Sequence, residues 1–319
     1  MLEPQYLELQ YNVLMETGKT GGLMAGSVAE NQGRLRIALQ VAVYVALYFA
    51  VFFVFAPLLT WLGDPLAGFT ASGLLAAGFA NWLALRIYAG RGLADLGLHR
   101  SRASAHNLAI GLMGGIGSAA LALAPPLALG AAHFARASVD RPTAAAAFVA
   151  AMIAVGSAGE EMFFRGYGFQ LLLANCGPFA TIAPVGVVFA LMHSSNPNAS
   201  WFGLVNTAGF GVLFGYAFLR SRDLWLPIGL HLGWNLTLPL FGANVSGLRM
   251  RLTGYEMAWS AGKMWSGGEY GPEASILTSA AMFVLFAYLW KAPIRRQFAP
   301  LAVPSGESLP CESGPASLW

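Results

Sequence analysis

The sequence predicts an all-α membrane protein, a polytopic bundle of about eight transmembrane helices. Of its 319 residues, 56% are hydrophobic and only 10% are charged, a balance too apolar for a soluble chain of this length. Its apolar residues also fall into stretches that are each near the roughly 20 residues needed to cross a bilayer as a helix. These stretches are 37–60, 66–85, 107–129, 144–173, 179–193, 200–219, 226–241 and 274–290.

Each stretch is predicted to be a helix, because a helix satisfies its own backbone polar groups inside lipid. The first three stretches carry no motif, the fourth contains charged side chains, and the fifth and seventh are short and contain histidine. Gly111 and Gly115 in the third stretch, and Gly211 and Gly215 in the sixth, are four residues apart. This spacing is typical of close helix packing. We therefore expect these glycines to be structural.

The basic residues predict the orientation of the helices. Loops on the cytoplasmic side carry an excess of Lys and Arg, and one set of alternate loops carries 12 such residues while the other set carries five. Both the N and the C terminus are therefore predicted to be cytoplasmic. The 12 residues are Lys19, Arg34, Arg36, Arg86, Arg91, Arg100, Arg102, Arg220, Arg222, Lys291, Arg295 and Arg296, and the five are Arg136, Arg141, Arg249, Arg251 and Lys263.

The same pattern predicts one membrane domain between two polar segments. Residues 1–36 form a predicted cytoplasmic N-terminal segment, and residues 37–291 form an integral-membrane domain with its motif core at 144–241. Residues 292–319 form a predicted disordered cytoplasmic tail, because they are rich in Pro, Ser and Gly and have little apolar surface to pack.

The fourth predicted span contains the most informative residues of the chain, Glu160, Glu161 and Arg165. A charged side chain inside a bilayer costs at least about 2.5 kcal/mol unless it is paired or hydrated, so such charges indicate a functional site. Glu161 and Arg165 are four residues apart and share a helix face, whereas Glu160 is rotated by about 100° from its neighbour. One carboxylate can therefore neutralise the arginine and leave the other free.

Three polar residues in later spans are predicted to join this cluster. His193 ends the fifth span, and His231 and Asn235 share one face of the seventh. Counted at about 1.5 Å per residue from the cytoplasmic ends of their helices, these residues lie roughly 8 to 21 Å deep. The two glutamates fall near the same depth. We therefore expect one polar site, open to the cytoplasmic side.

A carboxylate, two imidazoles and an amide that meet in a membrane interior can hydrolyse a peptide bond. A partly buried glutamate can take a proton from water, an imidazole can orient that water, and His and Asn donors can stabilise an oxyanion. Glu160, His193 and His231 also match a common catalytic zinc-ligand set of two histidines and one glutamate. The residues alone leave the metal-free and zinc-dependent mechanisms open.

The three ordered motifs resemble those of the CPBP intramembrane proteases. This family includes the type II CAAX prenyl endopeptidases and the Abi-like bacteriocin-immunity proteins. The similarity covers the predicted spans four to seven. The residues that match are Glu160, Glu161, Arg165, Phe189, His193, His231 and Asn235.

The resemblance implies an intramembrane endopeptidase of the CAAX-processing type, with a defined role for each motif. It implies that Glu160 and His193 activate water and that His231 and Asn235 form an oxyanion hole. It implies no cofactor, with Zn²⁺ as the alternative, and a peptide or protein substrate in the bilayer of a bacterial plasma membrane. The structural support of the site would be Glu161 and Arg165.

Two non-enzymatic classes use the same residue types. A transporter would place Glu, His and Arg along an ion pathway, but the motif helices show no inverted repeat. An immunity protein or scaffold of the same fold would need no catalytic residues. No nucleic-acid partner is predicted, because the net charge of +3 is spread over loops as the orientation rule requires. The sequence leaves open whether the substrate is prenylated.

Overall fold

The computed structural model describes residues 4–137, 143–250 and 252–302. Contacts within the chain divide it into two units, Met1–Val43 and Tyr44–Trp319. The helix α1 (Pro4–Leu62) begins in the first unit and ends in the second. The candidate site described below belongs to the second unit.

Helices dominate the described residues, which contain nine α-helices and two short strands. The strands pair antiparallel, with Ala132 opposite Trp259 and Arg136 opposite Tyr255. The predicted helical class is therefore confirmed. After α1 the elements are α2 (Pro65–Tyr88), α3 (Arg102–Ala128), β1 (Ala132–Arg136), α4 (Thr143–Phe164), α5 (Tyr167–Met192), α6 (Trp201–Ser221), α7 (Trp225–Leu240), β2 (Tyr255–Trp259), α8 (Lys263–Ser266) and α9 (Ile276–Lys291).

Five segments within the described ranges are long and apolar enough to cross a membrane. The 48-residue segment Ala145–Met192 covers both α4 and α5, while α7 and α9 have only 16 residues each. The chain is thus an integral membrane protein by the length and composition of its helices. The count of eight spans and the cytoplasmic termini stay predictions. The five segments are Gln32–Leu62, Pro65–Tyr88, Arg102–Ala128, Ala145–Met192 and Trp201–Ser221.

The predicted fourth span, 144–173, is too long at its C-terminal end. The structure ends α4 at Phe164 and begins α5 at Tyr167. The buried amide of Asn81 on α2 explains the break, because it accepts a hydrogen bond from Tyr167 N at 2.7 Å and donates one to Met162 O at 2.9 Å. This single side chain satisfies the end of one helix and the start of the next, which no apolar pattern reveals.

A second break divides α5. Gly177 adopts φ 80° and ψ 173° inside the helix, a left-handed φ that glycine tolerates without strain. The helix therefore consists of two pieces, and the second piece ends at Met192. This piece corresponds to the predicted fifth span, 179–193, and it brings His193 to the end of a helix.

Glycine faces hold α3 against α7. A Cβ atom added at Gly115 would lie 2.7 Å from Trp234 N, and one added at Gly229 would lie 3.0 Å from Leu112 N. The predicted packing role of the α3 glycines is therefore consistent with the contacts. Gly229 and Gly233 both face α3, so position 231, about 200° further round the helix from Gly229, points to the opposite side.

The start of the predicted tail is packed rather than disordered. Ala299 and Ala302 are buried, Asn107 on α3 donates to Arg295 O at 2.7 Å, and Gln297 donates to Asp223. These hydrogen bonds tie residues 292–302 to the loop before α7. The rest of the tail, 303–319, lies outside the described residues, and the domain boundaries stay predictions.

Candidate active site

The structure brings the predicted site residues together. Glu160 Oε2 on α4 lies 3.7 Å from His193 Nε2 and 3.9 Å from His231 Nε2. Both distances exceed a hydrogen bond, so the three polar atoms face a common point without bonding one another. Asn235, one helical turn after His231, lines the same cavity. The predicted convergence is seen, while the catalytic roles stay predictions.

The cavity around these residues has a volume of about 230 Å³. Its polar wall is formed by the predicted site residues on α4, α5 and α7. Its opposite wall is aromatic and comes from α1 and α2. The aromatic residues are Tyr48, Phe49, Phe52 and Phe69. The site can therefore hold a ligand that is polar on one side and apolar on the other.

Glu160 has an unusual environment for a carboxylate in a membrane helix. Its side chain is 37% exposed, yet its Oε2 atom is buried and has no hydrogen-bond partner among the described residues. Buried polar atoms nearly always have partners. An unpartnered carboxylate oxygen that faces two imidazoles therefore points to function rather than to structural support.

The partners of the two imidazoles assign their tautomers. His193 Nδ1 lies 2.7 Å from Phe189 O, and because a carbonyl oxygen only accepts, Nδ1 must carry the proton. His231 Nδ1 lies 2.9 Å from Glu161 Oε1 and donates in the same way. In a neutral ring Nε2 is then an acceptor. Both histidines thus present Nε2 to Glu160.

Glu161 and Arg165 form the ion pair that their spacing predicts. Both side chains have 0% exposure, and Arg165 Nη1 lies 3.1 Å from Glu161 Oε1. Arg165 Nη2 also donates to Gly211 O at 2.7 Å. Since Glu161 Oε1 bonds His231 as well, this pair fixes the orientation of an imidazole in the cavity. The guanidinium lies between 5.2 and 5.7 Å from the ring centres of Phe164, Phe189 and Phe214.

Glu273 lines the cavity too, although it is absent from the predicted set. It accepts hydrogen bonds from Trp234 Nε1 at 3.2 Å and from Ser246 Oγ at 2.9 Å, and from the Ser246 amide. Burial raises the pKa of the Glu273 carboxyl. The available signal was a lone carboxylate directly before the eighth predicted span, which the apolar pattern does not connect to the motif helices.

The rim of the cavity is formed by the loops that follow α5 and α7. The arginine-rich loops precede α3 and α7 and follow α9, at the opposite ends of the helices. The rim therefore lies at the other end of the helices from the arginine-rich loops. The side of the membrane that each end faces stays a prediction. The rim residues are His193, Asn196, Val245, Ser246, Leu248 and Met250.

Comparison with known proteins supports the resemblance of the motifs. The family model described as type II CAAX prenyl endopeptidase Rce1-like matches residues 141–237, which include α4, α5, α6 and most of α7. No curated protein and no solved structure matches the chain. The family is one of proteases, so the match supports a membrane hydrolase that acts on a peptide or protein. The matched residues contain all three motifs, and the match supports the CAAX protease family for this part of the chain.

Proposed function

We propose that the protein is an intramembrane endopeptidase in which Glu160 activates water to hydrolyse a peptide bond. The substrate is a membrane-associated or lipidated peptide or protein. The observation that carries the proposal is the unpartnered Oε2 atom of Glu160, which faces the Nε2 atoms of His193 and His231 at 3.7 and 3.9 Å. These atoms belong to acid–base groups and line a cavity of about 230 Å³.

Water activation follows from the acceptors that Glu160 and His193 offer. Since Phe189 O holds the proton of His193 on Nδ1, His193 Nε2 and Glu160 Oε2 both accept hydrogen bonds. A water molecule that donates to both keeps a lone pair for attack on a peptide carbonyl. Glu160 takes the proton during attack and passes it to the departing amine, which is general base and then general acid catalysis.

His231 and Asn235 supply donors for the oxyanion that forms during attack. His231 acts as a donor to the oxyanion when its ring carries a second proton. That proton lies on Nε2, because Nδ1 already donates to Glu161. The amide of Asn235 is the second donor.

Zinc is the alternative for the same three residues. Two imidazole nitrogens and one carboxylate oxygen are suitable zinc ligands, and the carboxylate of Glu161 on His231 Nδ1 resembles the outer support common at such sites. However, no group of three His, Cys, Asp or Glu side chains in the described part of the chain is arranged to hold a metal ion. Chelation of the purified protein distinguishes the zinc-dependent from the metal-free mechanism.

The test is Glu160→Gln, assayed on a peptide library with the purified protein in detergent. Glutamine keeps the shape of the side chain but cannot accept the proton of water, so cleavage should fall by about 10²- to 10⁴-fold. Glu269→Gln is the matched control, because Glu269 is 69% exposed in a surface pair with Arg249. Equal cleavage by wild type and Glu160→Gln, or an effect on solute flux alone, would exclude the protease mechanism.

A further inference from the structure

The two ends of the helix bundle differ in how they meet the candidate site. One end is defined by hydrogen bonds between segments far apart in the sequence. Asn107 donates to Asp223 Oδ2 at 2.7 Å, Trp225 Nε1 donates to His99 O at 2.9 Å, and Arg220 donates to Leu289 O at 2.6 Å. We call this the arginine-rich end, and it comprises residues 86–105, 220–225 and 289–302.

The opposite end is built from the loops 130–137, 193–200 and 242–275. Asn206 at the start of α6 donates to Glu273 O at 2.8 Å, and Gly247 N donates to Tyr270 O at 2.7 Å. We call this the rim end, because the cavity rim belongs to it.

The arginine-rich end is closed to the site. Leu96, Phe218, Leu224 and Leu226, which lie in this end or next to it in the sequence, all have 0% exposure. Gln170 adds a buried hydrogen bond to Leu96 O at 3.0 Å. Among the described residues, none from the arginine-rich end lines the cavity. A substrate therefore reaches the site from the rim end or sideways from the bilayer at that level.

The basic residues of the second unit are divided unequally between the two ends. In the part of the chain that the structure describes, the arginine-rich end carries nine Lys and Arg residues, and the rim end carries three. Because Lys and Arg in short loops are retained on the cytoplasmic side, the arginine-rich end is the cytoplasmic one. The nine are Arg86, Arg91, Arg100, Arg102, Arg220, Arg222, Lys291, Arg295 and Arg296, and the three are Arg136, Arg249 and Lys263.

From these two observations we infer that the candidate site opens to the face of the membrane away from the cytoplasm. What this orientation implies for the substrate rests on the proposed function. The substrate is a peptide segment that has been translocated across the membrane or that emerges from it on the non-cytoplasmic face. A lipid-modified C terminus that stays in the cytoplasm cannot reach the rim. This replaces the expectation of a cytoplasmic opening and keeps both termini in the cytoplasm.

The orientation can be measured without any assay of activity. Cys176 and Cys311 are first replaced by serine, and one cysteine is then introduced at each end, as Met264→Cys at the rim end or Ala105→Cys at the arginine-rich end. Both positions are exposed, and neither substitution changes a charge or touches a site residue. Each variant is expressed in a bacterial host and treated as intact spheroplasts with a membrane-impermeant maleimide, before and after permeabilisation.

We expect Met264→Cys to react in intact spheroplasts and Ala105→Cys to react only after permeabilisation. The reverse pattern, or reaction of both variants in intact spheroplasts, overturns the inference. A second measurement maps new N termini in membranes that contain wild type or Glu160→Gln. Cleavage sites specific to wild type should lie on the non-cytoplasmic face, and cytoplasmic sites overturn the inference. If wild type and variant give the same N termini, the protease proposal fails, while the labelling still decides the orientation.

Discussion

Two carboxylates, the buried Asp223 at the arginine-rich end and the partly exposed Glu160 in the cavity, have opposite surroundings. Asp223 Oδ2 accepts hydrogen bonds from Asn107 and Gln297, and its Oδ1 accepts one from Leu226 N at 3.2 Å. Glu160 Oε2 has no partner in the described part of the chain. A carboxylate whose oxygens accept hydrogen bonds, such as Asp223, holds segments of the chain together. A carboxylate oxygen without a partner, such as Glu160 Oε2, remains available for chemistry. The hydrogen bonds around Asp223 are therefore structural, whereas the surroundings of Glu160 suit a reactive group.

Glu161 is the residue where the two kinds of network meet. It has 0% exposure like Asp223, but its Oε1 atom bonds both Arg165 and the cavity residue His231. A substitution here should therefore change stability and activity together. Substitutions at Asp223 and at Asn235 should change only one of the two properties each.

Glu161→Gln is expected to have the largest effect. The substitution removes the carboxylate charge that pairs with the buried guanidinium of Arg165, and breaking a buried ion pair costs about 3 to 5 kcal/mol. Thermal unfolding in detergent should show a lower Tm, and cleavage should be lost as His231 loses its orienting carboxylate. The control is the exposed ion pair of Glu269 with Arg249, because Glu269→Gln should lower stability by less than about 1 kcal/mol. Equal losses of stability in the two variants would contradict the stabilising role of the buried pair.

Asn235→Ala should reduce turnover by about 10²- to 10³-fold, the cost of one oxyanion donor. Asn235 lines the cavity and has no described hydrogen bond that supports the fold, so Tm should stay near that of wild type. The measurement compares kcat and KM on a peptide found in the library. A rise in KM with unchanged kcat would show that the amide binds substrate without stabilising the transition state.

Asp223→Asn should lower stability by about 1 to 3 kcal/mol, because one buried donor loses its acceptor. The cleavage rate per folded molecule should equal that of wild type, since Asp223 belongs to the closed end. Burial raises the pKa of the Asp223 carboxyl, so the folded state disfavours its ionised form. Wild-type stability therefore falls as pH rises from the ordinary Asp range through this raised pKa, and the asparagine variant lacks that fall.

The stability gap between wild type and Asp223→Asn should consequently narrow as pH rises. Chemical unfolding at several pH values measures it. A gap that widens with pH would mean that the three hydrogen bonds to Asp223 outweigh its desolvation. Lost cleavage in the folded variant would show that the arginine-rich end is coupled to the site, against the separation drawn above.

Exhaustive chelation should have the smallest effect, with cleavage unchanged and no stoichiometric zinc in the purified protein. The reason is that Glu160 itself accepts the proton of water, so no metal is needed to lower the pKa of that water. A zinc-dependent peptidase treated in parallel provides the positive control. One zinc per chain, with activity lost on removal and restored on addition, would assign Glu160, His193 and His231 as ligands.

The parts of the site that lie on one helix could be predicted from the sequence. The four-residue spacing predicts the contact between Glu161 and Arg165, and it places His231 and Asn235 on one face. The apolar stretch 66–85 likewise predicts α2 to within a few residues of Pro65–Tyr88. These predictions succeed because helical periodicity depends only on neighbours within about one turn.

Contacts between distant segments could not be predicted in this way. Asn81 ends α4 from a position 81 residues earlier in the chain, and Glu273 reaches Trp234 across 39 residues. Neither contact leaves a periodic signal. The packing of residues 292–302 escapes the sequence pattern for the same reason, since Gln297 is anchored by Ser104 and Asp223 rather than by its own neighbours.

The sequence by itself determined the membrane class, the apolar helices, the three motifs and the bias of basic residues, because these are properties of composition and local spacing. The tertiary structure alone decided that Glu160 Oε2 faces two histidines without a hydrogen-bond partner among the described residues, that Glu273 joins the cavity, and that the rim and the arginine-rich loops lie at opposite ends. Those features depend on how α4, α5 and α7 pack against one another. Packing in turn depends on shape and hydrogen bonds between residues far apart in the chain.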